Sequence, residues 1–230
     1  MQLSRFLQLK TPYSRQRVRV LLAQGRVRVG DEIITDAHRE IDRFIRVELD
    51  NELLQEAQSR YLMLHKPAGI VSATVHSEHK TVIELLPQSL RQGLHLAGRL
   101  DLKTSGLMLL TNDGSWSRRV TQPESKIAKV YRVTTRDPVP DEAQVVFQKG
   151  IYFRYENITT RPAQLERIDD YNSRLAIHEG RYHQVKRMFG YFDNEVTALH
   201  RESIGALTLD PDLRPGEFRF LTAAEVALFE

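Results

Sequence analysis

One aspartate stands out in the run Ala97-Gly98-Arg99-Leu100-Asp101-Leu102-Lys103-Thr104-Ser105-Gly106, because it lies among apolar neighbours and between two glycine-containing turns. A carboxylate so placed is costly to desolvate unless it has a charged partner or a chemical task. A second run, Glu179-Gly180-Arg181-Tyr182-His183-Gln184-Val185-Lys186-Arg187-Met188-Phe189, reads as a turn leading into a helix dense in cations. It could supply both that partner and contacts to phosphate. Taken singly, each run has a plainer reading: Asp101 as a turn or cap residue, Lys186 and Arg187 as a solvated helix end. Other chemistry is sparse. The absence of cysteine excludes a disulfide framework, a Cys-ligated zinc, an iron–sulfur cluster and thiol catalysis. The glycines form neither Gly-x-Gly-x-x-Gly nor Gly-x-x-x-x-Gly-Lys-[Ser/Thr], so no nucleotide cofactor is expected. His76 and His79 have only Glu78 beside them and read as loop histidines, so no metal is expected either.

The elements that must position these residues follow from periodicity and caps. In 230 residues, 41% are apolar and 27% charged, an ordinary composition for one or two globular domains. No apolar run approaches the ~20 residues of a membrane span, and arginines interrupt the N-terminus where a secretory signal would be apolar. A cytoplasmic location and no membrane partner are expected. The net charge of +3 is uneven: residues 1–30 carry seven basic side chains and no acid. This suggests a phosphate-touching module joined to a body with another task.

Leu3, Phe6 and Leu7 have helical spacing, and Thr11-Pro12 ends that helix. Ser14 caps a second helix, with Val18, Leu21 and Leu22 on one face, Arg15 and Arg19 one turn apart, and Gly25 as the left-handed stop. Arg26-Val27-Arg28-Val29 alternates as a strand, Gly30-Asp31 turns, and Glu32-Ile33-Ile34 returns. Residues 50–59 are polar and aperiodic and read as a linker, which puts a domain boundary near residue 60. Beyond it, strands are expected at 61–64, 107–111, 130–134, 163–168 and 174–178. Helices are expected at 81–86, at 115–121 capped by Ser115, at 182–192, and after Thr222, whose capping box uses Glu225. Many strands with scattered helices predict an α+β fold with a mixed, largely antiparallel sheet.

The run from Leu3 to Ile34 resembles the S4-like RNA-binding domain. Gly98-Arg99-Leu100-Asp101, followed by Thr104-Ser105-Gly106-Leu107 and Leu110-Thr111-Asn112-Asp113-Gly114, resembles the signature of pseudouridine synthases. Further landmarks are Leu64-His65-Lys66-Pro67-Ala68-Gly69, Lys129-Val130-Tyr131-Arg132-Val133, Glu179 to Met188, Leu199-His200-Arg201-Glu202-Ser203-Ile204-Gly205 and Pro215-Gly216-Glu217-Phe218-Arg219. Nearly the whole chain is similar to the RsuA type, which modifies small-subunit ribosomal RNA and usually carries an S4-like domain. The family commonly has Asn where this chain has His65, and the hairpin tip Gly30-Asp31 departs from the usual Asn-Gly.

The resemblance implies an N-terminal S4-like α/β RNA-binding domain and linker over residues 1–59 and a catalytic domain over 60–230. It implies isomerisation of one uridine of 16S rRNA, of the uridine-516 type, without a cofactor. Asp101 matches the family's catalytic acid. Lys186 matches its basic partner, which would sit about 3 to 4 Å away, with Arg187 as the second candidate. Tyr131 matches the tyrosine that stacks on the base, and Leu199 the apolar residue beneath the uracil. Arg99, Arg118, Arg119, Lys126 and Lys129 around the cleft, and Arg15, Arg19, Arg26 and Arg28 in the N-terminal module, would contact the RNA backbone. The partner is 16S rRNA, free or in a partly assembled small subunit, and the enzyme is expected to be a monomer. Three other readings compete: a related synthase acting on 23S rRNA, a non-catalytic RNA-binding assembly factor, and a two-carboxylate glycoside hydrolase using Asp101 and Asp113.

Overall fold

Pro12 ends the first helix where the sequence requires: α1 spans Leu3–Lys10 and buries Leu3, Phe6 and Leu7. α2 spans Arg15–Ala23, and Ser14 Oγ accepts from Arg17 N at 3.3 Å. Val18, Leu21 and Leu22 pack inward from α2, and Gly25 at φ +67° lets the chain reverse. A four-stranded antiparallel sheet follows, made of β1 (Val27–Val29), β2 (Glu32–Ile33), β3 (Val47–Leu49) and β4 (Glu52–Gln55) in the order β2-β1-β3-β4. The computed structural model describes residues 1–56 and 58–229; Ala57, inside the expected linker, lies outside them. Residues Met1–Ser59 and Arg60–Glu230 form two compact units.

The expected linker is in part a strand. Asp50 and Asn51 both have positive φ, 53° and 67°, and make the two-residue turn that joins β3 to β4. β4 is a largely exposed edge, so no apolar alternation marked it, and the Asp-Asn pair was its only local sign.

In the second unit, apolar strands dominate. They are β5 (Tyr61–Lys66), β6 (His95–Leu96), β7 (Ser105–Thr111), β8 (Lys129–Thr135), β9 (Tyr152–Phe153), β10 (Ile158–Thr159), β11 (Gln164–Arg167), β12 (Asn172–Ile177), β13 (Val196–Ile204), β14 (Leu207–Thr208) and β15 (Phe218–Phe220). Nine of them form one sheet, ordered β11-β12-β8-β13-β7-β5-β15, with β14 on β13 and β6 on β7, while β9 and β10 pair separately. The β13–β7 seam is parallel, and the other pairings described are antiparallel. Both faces of the sheet centre are covered. Met108 and Leu110 pack with Leu62 and Leu64 on one side, whereas Leu107 and Leu109 pack with Met63 and Trp116 on the other. Two-sided burial is why residues 107–110 read as an unbroken apolar run.

The helices are α3 (Gln88–Arg91), α4 (Gly114–Thr121), α5 (Ala143–Lys149), α6 (Gln184–Gly190) and α7 (Ala223–Ala227). Thr222 and Glu225 form the expected capping box. The cap of α4 is Asp113 rather than Ser115: its carboxylate accepts from Ser115 N and Trp116 N, and also from the Tyr61 hydroxyl. That leaves Asp113 in a structural role. The segment expected as a helix at 81–86 is only a 3₁₀ turn over Ile83–Leu85, cut short by Pro87. The α5 helix and the long strand β13 lay outside the expected elements, although Ala143, Val146 and Phe147 of α5 fall at i, i+3, i+4 and pack on the core.

Candidate active site

Asp101 lies on the loop between β6 and β7, its side chain about one third exposed. The loop is tied down on all sides. Ser72 Oγ both accepts from Leu100 N at 3.0 Å and donates to Leu100 O at 2.5 Å. Gly69 N donates to Leu102 O at 2.8 Å, and Thr104 N to Asp101 O at 3.0 Å. Beneath it, the fully buried Lys66 ammonium donates to Pro67 O (3.0 Å), Leu102 O (3.3 Å) and Thr104 O (2.7 Å). Two of these charge-assisted bonds hold the carbonyls one and three residues after Asp101, and the third ties the same ammonium to Pro67, so the loop that carries the carboxylate is anchored to the end of β5. Lys66 was visible in the sequence only as part of a family landmark.

The opposing wall is the turn into α6. Lys186 Nζ stands 3.6 Å from Asp101 Oδ2, and His183 Nε2 3.7 Å from Asp101 Oδ1. Buried Glu179 organises this turn, accepting from Arg161 N, Arg181 Nε and Gln184 Nε2, each at 2.9 Å. Tyr131 of β8 and Leu199 of β13, 8% and 7% exposed, line the same pocket as Asp101, Arg99 and His183. The fold thus gathers Asp101, Tyr131, Lys186, Arg99 and Leu199 around one cleft. It does not bring Arg187 there: this guanidinium grips the Glu156 carboxylate at 2.5 and 2.7 Å and stacks on Phe153. One residue along a helix turns a side chain by about 100°, so Lys186 and Arg187 cannot share a wall. His183 and Glu179 lay in a quoted motif without a role, since their contacts depend on how the turn folds.

In the N-terminal unit, Arg26 pairs with Asp50 at 2.5 Å and Arg28 stands 3.9 Å from Glu48, while Arg15 and Arg19 are exposed. His76 Nδ1 accepts from the backbone of Glu78 and His79, and among the described residues no group of three or more His, Asp or Glu could hold a metal. Among the same residues, no helix is long and apolar enough to cross a membrane.

A carboxylate held opposite two basic side chains, with a tyrosine and a leucine lining the same pocket, describes a site for acid–base or nucleophilic chemistry on a planar group. Residues 60–191 match the model of the RNA pseudouridylate synthase family. Over 227 residues the chain is 52% identical to the ribosomal small subunit pseudouridine synthase A of Pseudomonas aeruginosa, covering 98% of this chain and 99% of that one. The Escherichia coli (strain K12) protein of the same name is 44% identical over 228 residues, covering 99% of both. A crystal structure of a pseudouridylate synthase superimposes over the full length of both chains with a TM-score of 0.74 at 38% identity. The chain belongs to the RNA pseudouridylate synthase family, as a pseudouridine synthase of the RsuA type.

Burial pushes the Lys66 ammonium down to about 8 from 10.5, with the negative charge of Asp101 acting the other way. Between those values the unfolded chain holds a proton the folded chain lacks, so this group's contribution to stability rises with pH there. Activity should run in the opposite direction, because a neutral amine has two N–H donors for three carbonyls. A pH–rate profile is expected to show an alkaline limb near pH 8. Lys66→Met is expected to lose that limb while isomerising roughly tenfold more slowly at neutral pH, since a misplaced carboxylate costs one to two orders of magnitude. An unchanged limb in the variant would assign it to another group.

Proposed function

We propose that this enzyme isomerises a single uridine of 16S rRNA, of the uridine-516 type, to pseudouridine, with Asp101 as the catalytic carboxylate. The observation that carries this is the placement of Asp101 against Lys186 and His183, in one pocket with Tyr131 and Leu199. The small-subunit target is supported by the name shared by the relatives from Pseudomonas, Vibrio and Escherichia.

The reaction breaks the bond from uracil N1 to ribose C1′, turns the base, and joins C5 to C1′; the C5 proton is released, N1 takes up a proton in its place, and no other group leaves or enters. Asp101 either adds to the substrate or removes the ribose C2′ proton, and Lys186 balances its charge in both cases. In this reading Tyr131 and Leu199 hold the uracil while it turns, and the Tyr131 phenol takes up the C5 proton directly or through water. The target must leave its stack, at a cost of a few kcal/mol that RNA contacts elsewhere offset. Arg99 at the cleft and the S4-like module of residues 1–59, through Arg15, Arg19, Arg26 and Arg28, provide such contacts.

The test is tritium release from carbon-5-labelled 16S transcript and from partly assembled small subunits, with 23S rRNA in parallel. Release from 16S alone supports the proposal; release from 23S alone overturns the target; release from neither, with binding intact, favours an assembly factor. For the N-terminal module, the double variant Arg15→Ala, Arg19→Ala is expected to weaken RNA binding and flatten its salt dependence by up to about two phosphate equivalents. Titrations at several salt concentrations check this, and an unchanged slope would remove these two arginines from the interface.

A further inference from the structure

The turn into α6 presents a pair of stacked rings, of which the outer one, Tyr182, has no part in the reaction. Tyr182 lies flat against His183, with ring centroids 3.9 Å apart and planes inclined by 18°. Tyr182 is 75% exposed, whereas His183 lines the cleft and reaches Asp101. We propose that this ring pair is a base-stacking subsite at the mouth of the cleft, which receives a nucleobase adjacent to the target uridine. The proposal rests on the RNA-modifying reading above.

Three observations support it. First, the platform is held rigidly. His183 has the left-handed conformation, φ 49° and ψ 31°, and its side chain does not cap α6. A non-glycine residue there is strained, and such strain persists only where the surroundings over-determine it. They do so here: Arg181 N donates to Gln184 Oε1, Gln184 N to Arg181 O, and both side chains are bonded to buried Glu179. Second, this backbone gives the turn two directions at once, carrying the His183 imidazole to Asp101 and leaving the Tyr182 ring in solvent. A large exposed ring on a braced turn gains nothing for folding, but it is pre-organised to stack. Third, the chemistry is complementary. When a uridine leaves its stack, its neighbours lose a partner, and an aromatic ring can replace it whatever base is present. The nearby cations Arg181 and Lys186 suit the phosphates that such a base brings with it.

The test uses the full chain and a 16S transcript fragment with 2-aminopurine on the 5′ or the 3′ side of the target uridine. Tritium release by the unaltered enzyme is measured on the same fragment. With wild type, the probe on one side is expected to change fluorescence on binding. Tyr182→Ala is expected to lose that change and to bind roughly tenfold more weakly, since stacking one base contributes about 1–3 kcal/mol by alanine substitution. Its salt slope should stay unchanged because no phosphate contact is lost. Tyr182→Phe, which keeps the ring, should restore both signal and affinity. His183→Asn, which tolerates the left-handed backbone but removes the supporting ring, should lose much of the signal. A variant that merely loosened the turn would lower thermal stability, so melting curves accompany each measurement. Isomerisation by wild type with no fluorescence change on either side, or an unaltered change in Tyr182→Ala, overturns the subsite. Failure of wild type to isomerise the fragment or intact 16S substrates overturns the functional reading and the subsite with it.

Discussion

Asp101→Asn is expected to bind RNA within about twofold of wild type and to isomerise at least about a thousandfold more slowly, the scale for removing a reacting carboxylate. The prediction is sharp because none of the hydrogen bonds that hold the loop uses the carboxylate itself. Its fixings are the Ser72 hydroxyl on Leu100, the Lys66 ammonium on Pro67, Leu102 and Thr104, and a turn bond that uses the backbone of Asp101. An amide of the same shape should therefore sit in the same place. It lacks the negative charge that faces Lys186 and His183, and it can neither add to the substrate nor take a proton. Single-turnover tritium release beside filter binding separates the two effects. Retained turnover would remove Asp101 from the mechanism, and lost binding would show that the carboxylate holds the cleft together.

Gly106→Ala is expected to be the most damaging change of a single methyl group. Gly106 has φ +110°, which an L-residue rarely adopts, and it stands opposite Arg201 at the parallel seam of β7 and β13. A Cβ there would lie 2.3 Å from Arg201 O and 2.5 Å from Arg201 N, backbone atoms that cannot swing aside. The seam carries the site, since β13 bears Leu199 and the loop before β7 bears Asp101. Arg201 also donates from Nε to Leu107 O at 2.8 Å, a buried bond that separating the strands would break. Backbone strain and a severe clash together should cost roughly 4 kcal/mol or more. That lowers the melting temperature by about 10 °C for a domain of this size. Gly114→Ala is the control: it opens α4, has nothing within 4 Å of an added Cβ, and should be neutral or slightly stabilising. Equal midpoints for the two variants in denaturant titrations would show that the seam relaxes.

Much of this protein was written locally. Ser14 and the Thr222–Glu225 box mark helix starts by their own hydrogen bonds, and the run Leu107 to Leu110 announces a strand buried on both faces. Asp101 was conspicuous because a lone acid between glycine turns in apolar company needs a reason to be there. Such signals lie within a few residues of one another, so local pattern suffices to read them, and the resemblance of the surrounding motifs supplies the reaction class. What lacked a local mark was missed. Edge strand β4 has no fully buried side chain to impose alternation, and 81–86 opens on three β-branched residues and leaves too little chain before Pro87 to propagate a helix. The neighbourhood of Asp101 belongs to tertiary structure. Lys66, Glu179 and His183 act through contacts with residues far along the chain or through one unusual backbone angle. Which of Lys186 and Arg187 faces Asp101 was settled by the phase of α6, pinned by Phe189 and Met188 in the core and by Glu156 outside. The sequence by itself determined which groups were available and what reaction they suit. Only the packed sheet decided which of them meet, because contact between distant residues is set by burying apolar faces together and is not encoded near either partner.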